Sequence, residues 1–372
     1  MSDPAPNFGD MRLLHTSDWH LGRCLHGHDL LPAQVGFLDH LVEVATEERV
    51  DAVLVSGDVH DRALPPVDAV ALFGETLARL RDADIAVVVI SGNHDAPARL
   101  GDKAALLDRR VSLRTDPASV GEPVLLADGH GSVAVYALPY LEPGAVASSL
   151  AAVHADRARR GGRSVVLAHA WVTGGAASES ERSISVGGVD RVPASLFDGF
   201  DYAALGHLHR PQALSDAVRY SGSPLAFSFS EADARKSCWL VELDASGLAG
   251  VEAVPAPVPR GLSVLRGSFE ELLTGREHDA RTGDFVQAVV TDVRRPMDLM
   301  ATVRRRFPHA LDVRWEPPVV AGVESTYAAR TQGRSDVAVA EAFLSWVRSD
   351  PDDAERGLLR AALEAATAAE AA

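Results

Sequence analysis

The chain has 372 residues, with 36 Lys and Arg against 52 Asp and Glu for a formal net charge of −16, and 47% hydrophobic residues. That length suffices for a large core with one or two appendages, and no apolar run approaches the length needed to span a bilayer. The two cysteines, Cys24 and Cys238, exclude a disulfide framework, and the acidic balance argues against a free-standing nucleic-acid binder, which ordinarily carries a basic face.

In chain order, residues 1–10 lack the basic and apolar regions of a signal peptide and read as a disordered extension. With the cysteine usage, this points to a reducing cytoplasm. Apolar runs at 12–16, 52–56, 85–91, 165–168 and 202–205 have the length and composition of buried strands. Helical spacing appears at 31–49, where Phe37, Leu38, Leu41, Val42 and Val44 supply the apolar positions, and at 67–82 after Pro65 and Pro66. Residues 174–188 form a polar Gly/Ser-rich loop placed to border a site. Strands at 237–243 and 248–254 are expected to finish a second sheet. Pro255, Pro257 and Pro259 then make an extended connector that cannot continue a helix.

Beyond the connector, strands at 262–268, 284–292 and 310–315 alternate with helices at 269–274 and 296–307. They predict a small βαβαβ-like α+β unit over 260–318. Arg294, Arg295, Arg304, Arg305 and Arg306 either serve phosphates there or form a solvated face balanced by Asp292 and Asp298. Residues 319–372 read as a linker and two helices, at about 337–348 and running to about 369. Val339, Phe343, Trp346 and Val347 share one stripe of the first helix, suited either to a partner or to the chain's own body.

The ends of the first strands carry the chemistry. After the five apolar runs come Asp18-Trp19-His20, Gly57-Asp58-Val59-His60-Asp61, Gly92-Asn93-His94-Asp95, His169 and Gly206-His207-Leu208-His209. Strands of one sheet with their tips at a single edge would gather these groups, because ligands collect at the carboxyl ends of strands in layered α/β folds. Imidazole with carboxylate and amide oxygen suits Mn, Fe or Zn, and the absence of cysteine from these segments argues against a structural zinc cluster. Two divalent ions about 3.5–4 Å apart need a shared anionic ligand. Asp58 reads as that bridge, with Asp18, His20 and His209 completing one site and Asn93, His169 and His207 the other. His94 is left beside the ions, where an imidazole could protonate a departing oxygen. Trp19 reads as a packing wedge and His15 as a core histidine.

In order and spacing these segments resemble the calcineurin-like metallophosphoesterase superfamily. Residues 11–24, 57–66, 91–100 and 185–209 are further similar to the SbcD family, the nuclease subunits of bacterial SbcCD DNA-processing complexes. The resemblance implies an α/β fold: a four-layer β-sandwich flanked by helices over 11–254, a small α+β capping domain over 260–318, and a C-terminal helical arm. It implies two metal ions, Mn2+ before others, on Asp18, His20, Asp58, Asn93, His169, His207 and His209. It makes His94 the catalytic histidine, with the Asp61 carboxylate holding its tautomer. The implied reaction is attack on a DNA phosphodiester by a hydroxide bridging the two ions, with His94 assisting the leaving oxygen. The implied activities are 3′→5′ exonuclease on duplex ends and endonuclease on single strands or hairpins, in DNA repair, recombination and replication. An SbcC-like ATPase partner, gripped by the C-terminal helices, and a homodimer within a heterotetramer are implied with it. ATP use falls to the partner, since the chain has no G-x-x-x-x-G-K-[ST] loop. Two alternatives stand beside this reading: a stand-alone phosphodiesterase or phosphatase, and a binding subunit whose metal site organises a partner.

Overall fold

The computed structural model describes residues 9–182, 184, 191–318, 335–348 and 351–370. Residues 1–8 of the extension expected at 1–10, part of the Gly/Ser-rich loop (183 and 185–190) and the linker at 319–334 lie outside the described residues. Asp10 of that extension is placed, its carboxylate 2.9 Å from His130 Nε2. In chain order come β1 (Met11–Thr16), the ribbon β2 (Cys24–Leu25) and β3 (His28–Asp29), α1 (Leu31–Glu47), β4 (Ala52–Ser56) and α2 (Val67–Asp82). They are followed by β5 (Ala86–Ile90), the single turn α3 (Pro97–Leu100) and β6 (Val111–Arg114). Next are β7 (Val124–Asp128), β8 (Gly131–Leu138), α4 (Pro143–Arg160), β9 (Arg163–His169), β10 (Tyr202–Gly206), β11 (Gln212–Ala213) and β12 (Val218–Tyr220). The core closes with β13 (Ser237–Asp244) and β14 (Gly247–Pro255). Arg49 adopts a left-handed conformation (φ 52°) just past the end of α1, which stops short of the expected residue 49.

Two six-stranded sheets result, in the orders β14-β13-β1-β4-β5-β6 and β11-β12-β10-β9-β8-β7. This corrects two expectations. The five motif-bearing strands do not share one sheet: β1, β4 and β5 lie in the first, β9 and β10 in the second. Residues 237–243 and 248–254 do not finish the second sheet either; β13 pairs antiparallel with β1, with Leu13 opposite Val241. A buried strand reads the same whichever sheet it joins, because its neighbours are distant in sequence.

Alternate side chains sort into layers with the period of two that a strand imposes. From the first sheet, Leu14, Val53, Val55, Val87 and Val89 pack with Phe37 and Leu41 of α1 and Phe73 and Leu80 of α2. Their neighbours Leu13, Ala52, Leu54, Val88 and Ile90 face the opposite way and meet Val133, Val135, Val165, Leu167 and Tyr202 of the second sheet. On the far side of that sheet Tyr136, Val166 and Leu205 pack with Val146, Leu150 and Val153 of α4. Helix, sheet, sheet and helix make the four-layer α/β sandwich expected. Each fully buried Val or Leu contributes about 1.5–3 kcal/mol, and burial on both faces explains why the strands read as unbroken apolar runs.

Polar ties join the sheets near the ends of the motif strands. His15 Nδ1 lies 2.9 Å from the Tyr202 hydroxyl and Nε2 3.2 Å from the Leu205 carbonyl, while Ser56 Oγ donates to the Ala204 carbonyl at 2.8 Å. Burial pushes the His15 imidazole down to about 3, so it is a neutral core histidine. Elsewhere in the second sheet, Arg163 donates from both terminal nitrogens to Asp128, at 2.8 and 2.6 Å. Burial would raise the Asp128 carboxyl, but Arg163 and the His130 N–H outweigh it and hold it below its usual range. Asp128→Asn is expected to cost about 3–5 kcal/mol at pH 7 by leaving a buried guanidinium uncompensated. A depressed carboxyl stabilises above its unfolded-state pKa, about 3.9, and the effect is lost as pH falls through the lower folded value. Urea midpoints of variant and wild type should therefore converge in acid.

The chain forms two compact units: Met1–Val264 with Ala280–Gln287 and Phe307–Asp312, and Leu265–Asp279 with Ala288–Arg306 and Val313–Ala372. Beyond the connector, β15 (Leu262–Gly267), β16 (Phe285–Val290) and β17 (Ala310–Trp315) form a three-stranded sheet in that order, accompanied by α5 (Phe269–Thr274) and α6 (Leu299–Arg306). Ser268 and Glu271 close a capping box at the start of α5. Arg306 is turned inward to the Leu272 carbonyl (3.0 Å) and Asp279 (2.8 Å), which removes it from the phosphate-facing set expected; Arg294, Arg295, Arg304 and Arg305 are exposed. Two helices follow, Asp336–Val347 and Asp353–Glu370, linked by Arg360 and Glu341 at 2.7 Å. Phe343 and Trp346 are more than half exposed, at 51% and 58%. Among the described residues no helix is long and apolar enough to cross a membrane.

Candidate metal centre

Parallel pairing of β1, β4 and β5, and of β9 and β10, puts the carboxyl ends of each set at one edge. Loops leaving those ends then cross closely. A Cβ at Gly92 would collide with the Asp58 carboxylate and backbone nitrogen, and one at Gly57 (φ 88°) with the His169 ring. Only glycine fits at these crossings, which explains the Gly-Asp and Gly-Asn-His segments. Asp18 (φ 54°), His20 (φ 45°), Asp58 (φ 48°) and His207 (φ 104°) also hold conformations that side chains rarely adopt. Such strain, of order 1–3 kcal/mol per residue, collects at functional sites. Asp95 clamps the crossing by accepting from Gly92 N (2.9 Å), Val59 N (3.1 Å) and His60 N (3.0 Å).

All seven expected ligands converge here and are buried, Asn93 partly so. Asp18, His20 and His209 form one group able to hold an ion, and Asp18, Asp58 and His169 another. His20 Nε2 lies 3.1 Å from His209 Nε2 and 3.5 Å from Asp58 Oδ2, and His169 Nε2 is also 3.5 Å from that oxygen. Asp58 thus lies between His20 of the first group and His169 of the second, while Asp18 belongs to both. Asn93 Oδ1 completes the second, 2.9 Å from His169 Nε2 and 3.1 Å from His207 Nδ1. His94 joins His20 and Asp58 in a third group, so its ring sits against the site rather than apart from it.

The donor chemistry fits cations. His169 Nδ1 faces the Ser56 carbonyl at 2.9 Å and so carries that ring's hydrogen when neutral. Its Nε2 lone pair then points at the oxygens of Asn93 and Asp58, an arrangement that a cation relieves. Burial pushes His207 down to about 3 and His209 well below its ordinary value, keeping both as neutral donors. His207 Nε2 is buried without a hydrogen-bond partner among the described residues. Burial raises the Asp18 carboxyl, and the neighbouring Asp58 adds to this. At Asp58 burial also pushes upward, but His169, His20 and His94 outweigh it and hold the carboxyl well below its usual range. Reciprocally, Asp58 overcomes burial to raise His169 to about 9. Two buried carboxylates side by side with histidines aimed at them need positive charge between them.

The expected pairing of the His94 ring with the Asp61 carboxylate takes another form. His94 Nδ1 donates to the Asp61 main-chain carbonyl at 2.7 Å. The Asp61 carboxylate turns away to Arg23 (3.4 Å) and His20 Nδ1 (3.6 Å). The family resemblance supplied the carboxylate as partner, but the turn after Asp58 presents the Asp61 carbonyl to the ring instead. Sequence reasoning also missed Asp95, Ser180, Glu181, Glu231 and Lys236. Asp95 stood within a motif and could have been noticed. The others lie 22 or more positions from the nearest ligand or in the Gly/Ser-rich loop expected to border the site, where no local pattern marks individual residues.

Among solved structures, a dimetal phosphatase from Danio rerio is similar over 68% of this chain and 100% of that one, at 11% identity and a TM-score of 0.42. The sequence model described as calcineurin-like phosphoesterase matches residues 11–211, from the first residue of β1 to just past His209. The match takes in every residue that converges at the sheet ends and more than half of the chain, and the chain belongs to the calcineurin-like phosphoesterase family of metal-dependent phosphoester hydrolases.

Proposed function

We propose that this chain is a DNA nuclease subunit of the SbcD kind, hydrolysing phosphodiesters with two divalent ions, Mn2+ foremost. The observation that carries the chemistry is the convergence of Asp18, His20, Asp58, Asn93, His169, His207 and His209 around one buried pole with His94 at its edge. The DNA substrate rests on the similarity of residues 11–24, 57–66, 91–100 and 185–209 to that family, and on the exposed arginines beyond the connector. The exposed Phe343 and Trp346 support docking of a helical ATPase partner, in a complex built on a homodimer.

In this reading Asp18, His20 and His209 would hold one ion, Asn93, His169 and His207 the other, and Asp58 both. Bound there, the ions would supply positive charge against the phosphoryl oxygens and lower the pKa of an attacking water. The chain's own residues set the geometry around them. The Ser56 carbonyl orients the His169 ring, and Asp18 accepts the His207 N–H at 3.0 Å, fixing the turn after β10 that carries His207 and His209. Because the Asp61 carbonyl takes the His94 Nδ1 hydrogen, Nε2 is the ring atom left to face the departing 3′ oxygen. It would protonate that oxygen only when the ring carries a second proton, a form that burial disfavours by pushing the imidazole down to about 4. The Asp61 carboxylate positions His20 and Arg23 instead.

The net charge of −16 favours a second reading, a stand-alone phosphodiesterase or phosphatase acting on a small or protein substrate. End-labelled linear duplex, incubated with the purified chain in Mn2+ or chelator, with and without the ATPase partner and ATP, separates the two. Mn-dependent shortening of the duplex, extended by the partner, is expected. Intact DNA in every condition beside hydrolysis of a small phosphodiester would overturn the nuclease reading.

A further inference from the structure

Three buried side chains back His209 on the ring edge away from His20. His209 Nδ1 lies 2.5 Å from Ser180 Oγ, and the same hydroxyl donates to Glu231 Oε1 at 2.6 Å. The other Glu231 oxygen accepts from Lys236 Nζ, which also donates to the His209 carbonyl (2.8 Å) and Ser223 Oγ (3.0 Å). Glu181 accepts the His209 main-chain N–H at 2.8 Å. Glu231 is 1% exposed, Lys236 5% and Ser180 9%. A buried ion pair coupled through a hydroxyl to one ring nitrogen is costly to assemble and is weak evidence of stabilisation in itself.

Besides the ring, the Ser180 hydrogen has two acceptors in reach, Glu231 Oε1 at 2.6 Å and Ser178 Oγ at 2.9 Å, and the shorter bond is to the carboxylate. An ionised carboxylate only accepts, and a serine hydroxyl has a single hydrogen. Both Glu231 oxygens already accept, Oε2 from Lys236 and Oε1 from the Phe227 N–H, so the hydroxyl hydrogen goes to Glu231 and Ser180 can only accept from the ring. His209 Nδ1 therefore carries the imidazole hydrogen, and Nε2 is a bare lone pair aimed at His20 and Asp18. We propose that Ser180, with Glu231 and Lys236 behind it, is a positioning relay that locks His209 into its ligating tautomer and strengthens it as a donor. The inference deepens the metal-site reading and rests on it. It also accounts for the inner side of the Gly/Ser-rich loop, which carries Ser180 and Glu181 onto the turn after β10. Arg23 holds it there, donating to the Ser180 carbonyl at 3.0 Å. Outer-shell partners of metal-binding histidines typically tune affinity by 10–100-fold.

The test uses the full chain as wild type, Ser180→Ala, Ser180→Thr and Glu231→Gln. Ring 15N shifts of the metal-free protein report the His209 tautomer directly, and Mn2+ calorimetry reports both sites. In wild type, His209 should be hydrogen-bearing at Nδ1. In Ser180→Ala it should populate both tautomers, one Mn2+ site should weaken about 10–100-fold, and the other should hold its affinity. Ser180→Thr should restore both readouts. Glu231→Gln should act like Ser180→Ala, but because it strands Lys236 it can also unfold the chain. Ser180→Ala, which leaves that pair intact, is therefore decisive. An unchanged tautomer and unchanged Mn2+ isotherm in Ser180→Ala overturn the relay. A wild-type chain that binds no divalent ion overturns the metal reading instead, while the 15N measurement still decides the relay.

Discussion

Replacing His94 by Ala is expected to lower kcat for phosphodiester hydrolysis by about 10²–10⁴-fold, the range for loss of a positioned general acid. Both ions should remain bound. The ring is anchored at Nδ1 by the Asp61 carbonyl (2.7 Å) and packs edge-on against His20, with centroids 4.5 Å apart. Its main-chain N–H donates to Asp58 Oδ1 at 2.8 Å, a bond that Ala retains. The substitution thus removes the imidazole while leaving the Asp58 carboxylate in place. Calorimetric metal titration alongside kcat decides the role. Loss of an ion together with activity would make His94 a ligand, an outcome that its grouping with His20 and Asp58 makes worth measuring. A substrate with an activated leaving group should recover much of the lost rate if the histidine serves the departing oxygen. Because the Asp61 bond comes from the main chain, Asp61→Asn should leave the His94 function largely intact, contrary to a carboxylate–imidazole pair.

Asp58→Asn should have an effect at least as large, through the metals rather than the proton. Asp58 Oδ2 lies 3.5 Å from both His20 Nε2 and His169 Nε2, so it is placed to serve both sites. Even outer-shell losses cost about 10–100-fold in affinity, so removing the shared anion should exceed roughly 100-fold and leave fewer than two ions bound at micromolar Mn2+. Asparagine keeps an oxygen for the His94 N–H, so the loop crossing survives. The cleanest readout is linkage. Mn2+ should raise the wild-type Tm by binding the folded state, and that rise should vanish in the variant, whose own metal-free Tm is the baseline. Two ions bound with wild-type affinity would remove Asp58 from the centre of the site.

How far the chain could be read without its tertiary structure differs by element. Strands β1, β4, β5, β9 and β10 and helices α1 and α2 were legible to within a residue or two, because apolar period and proline punctuation are local properties. The identities of the seven converging residues were legible as well, since six follow a strand end in a short motif and His169 closes β9, with glycine at the tight crossings of the Gly57, Gly92 and Gly206 segments. Sheet membership was not. The returning strand β13 pairs with β1 some 230 residues earlier and β14 pairs with β13, and nothing in their own pattern distinguishes one sheet edge from another. The His94 partner was misread for a related reason: the sequence names a side chain, while the turn decides whether carboxylate or carbonyl reaches the ring. Ser180, Glu231 and Lys236 were invisible because their meaning is a hydrogen-bond chain across three segments brought together by folding. Local chemistry and periodicity are written along the chain; partner choice, hydrogen-bond direction and the field that each group feels arise only where distant segments exclude water together.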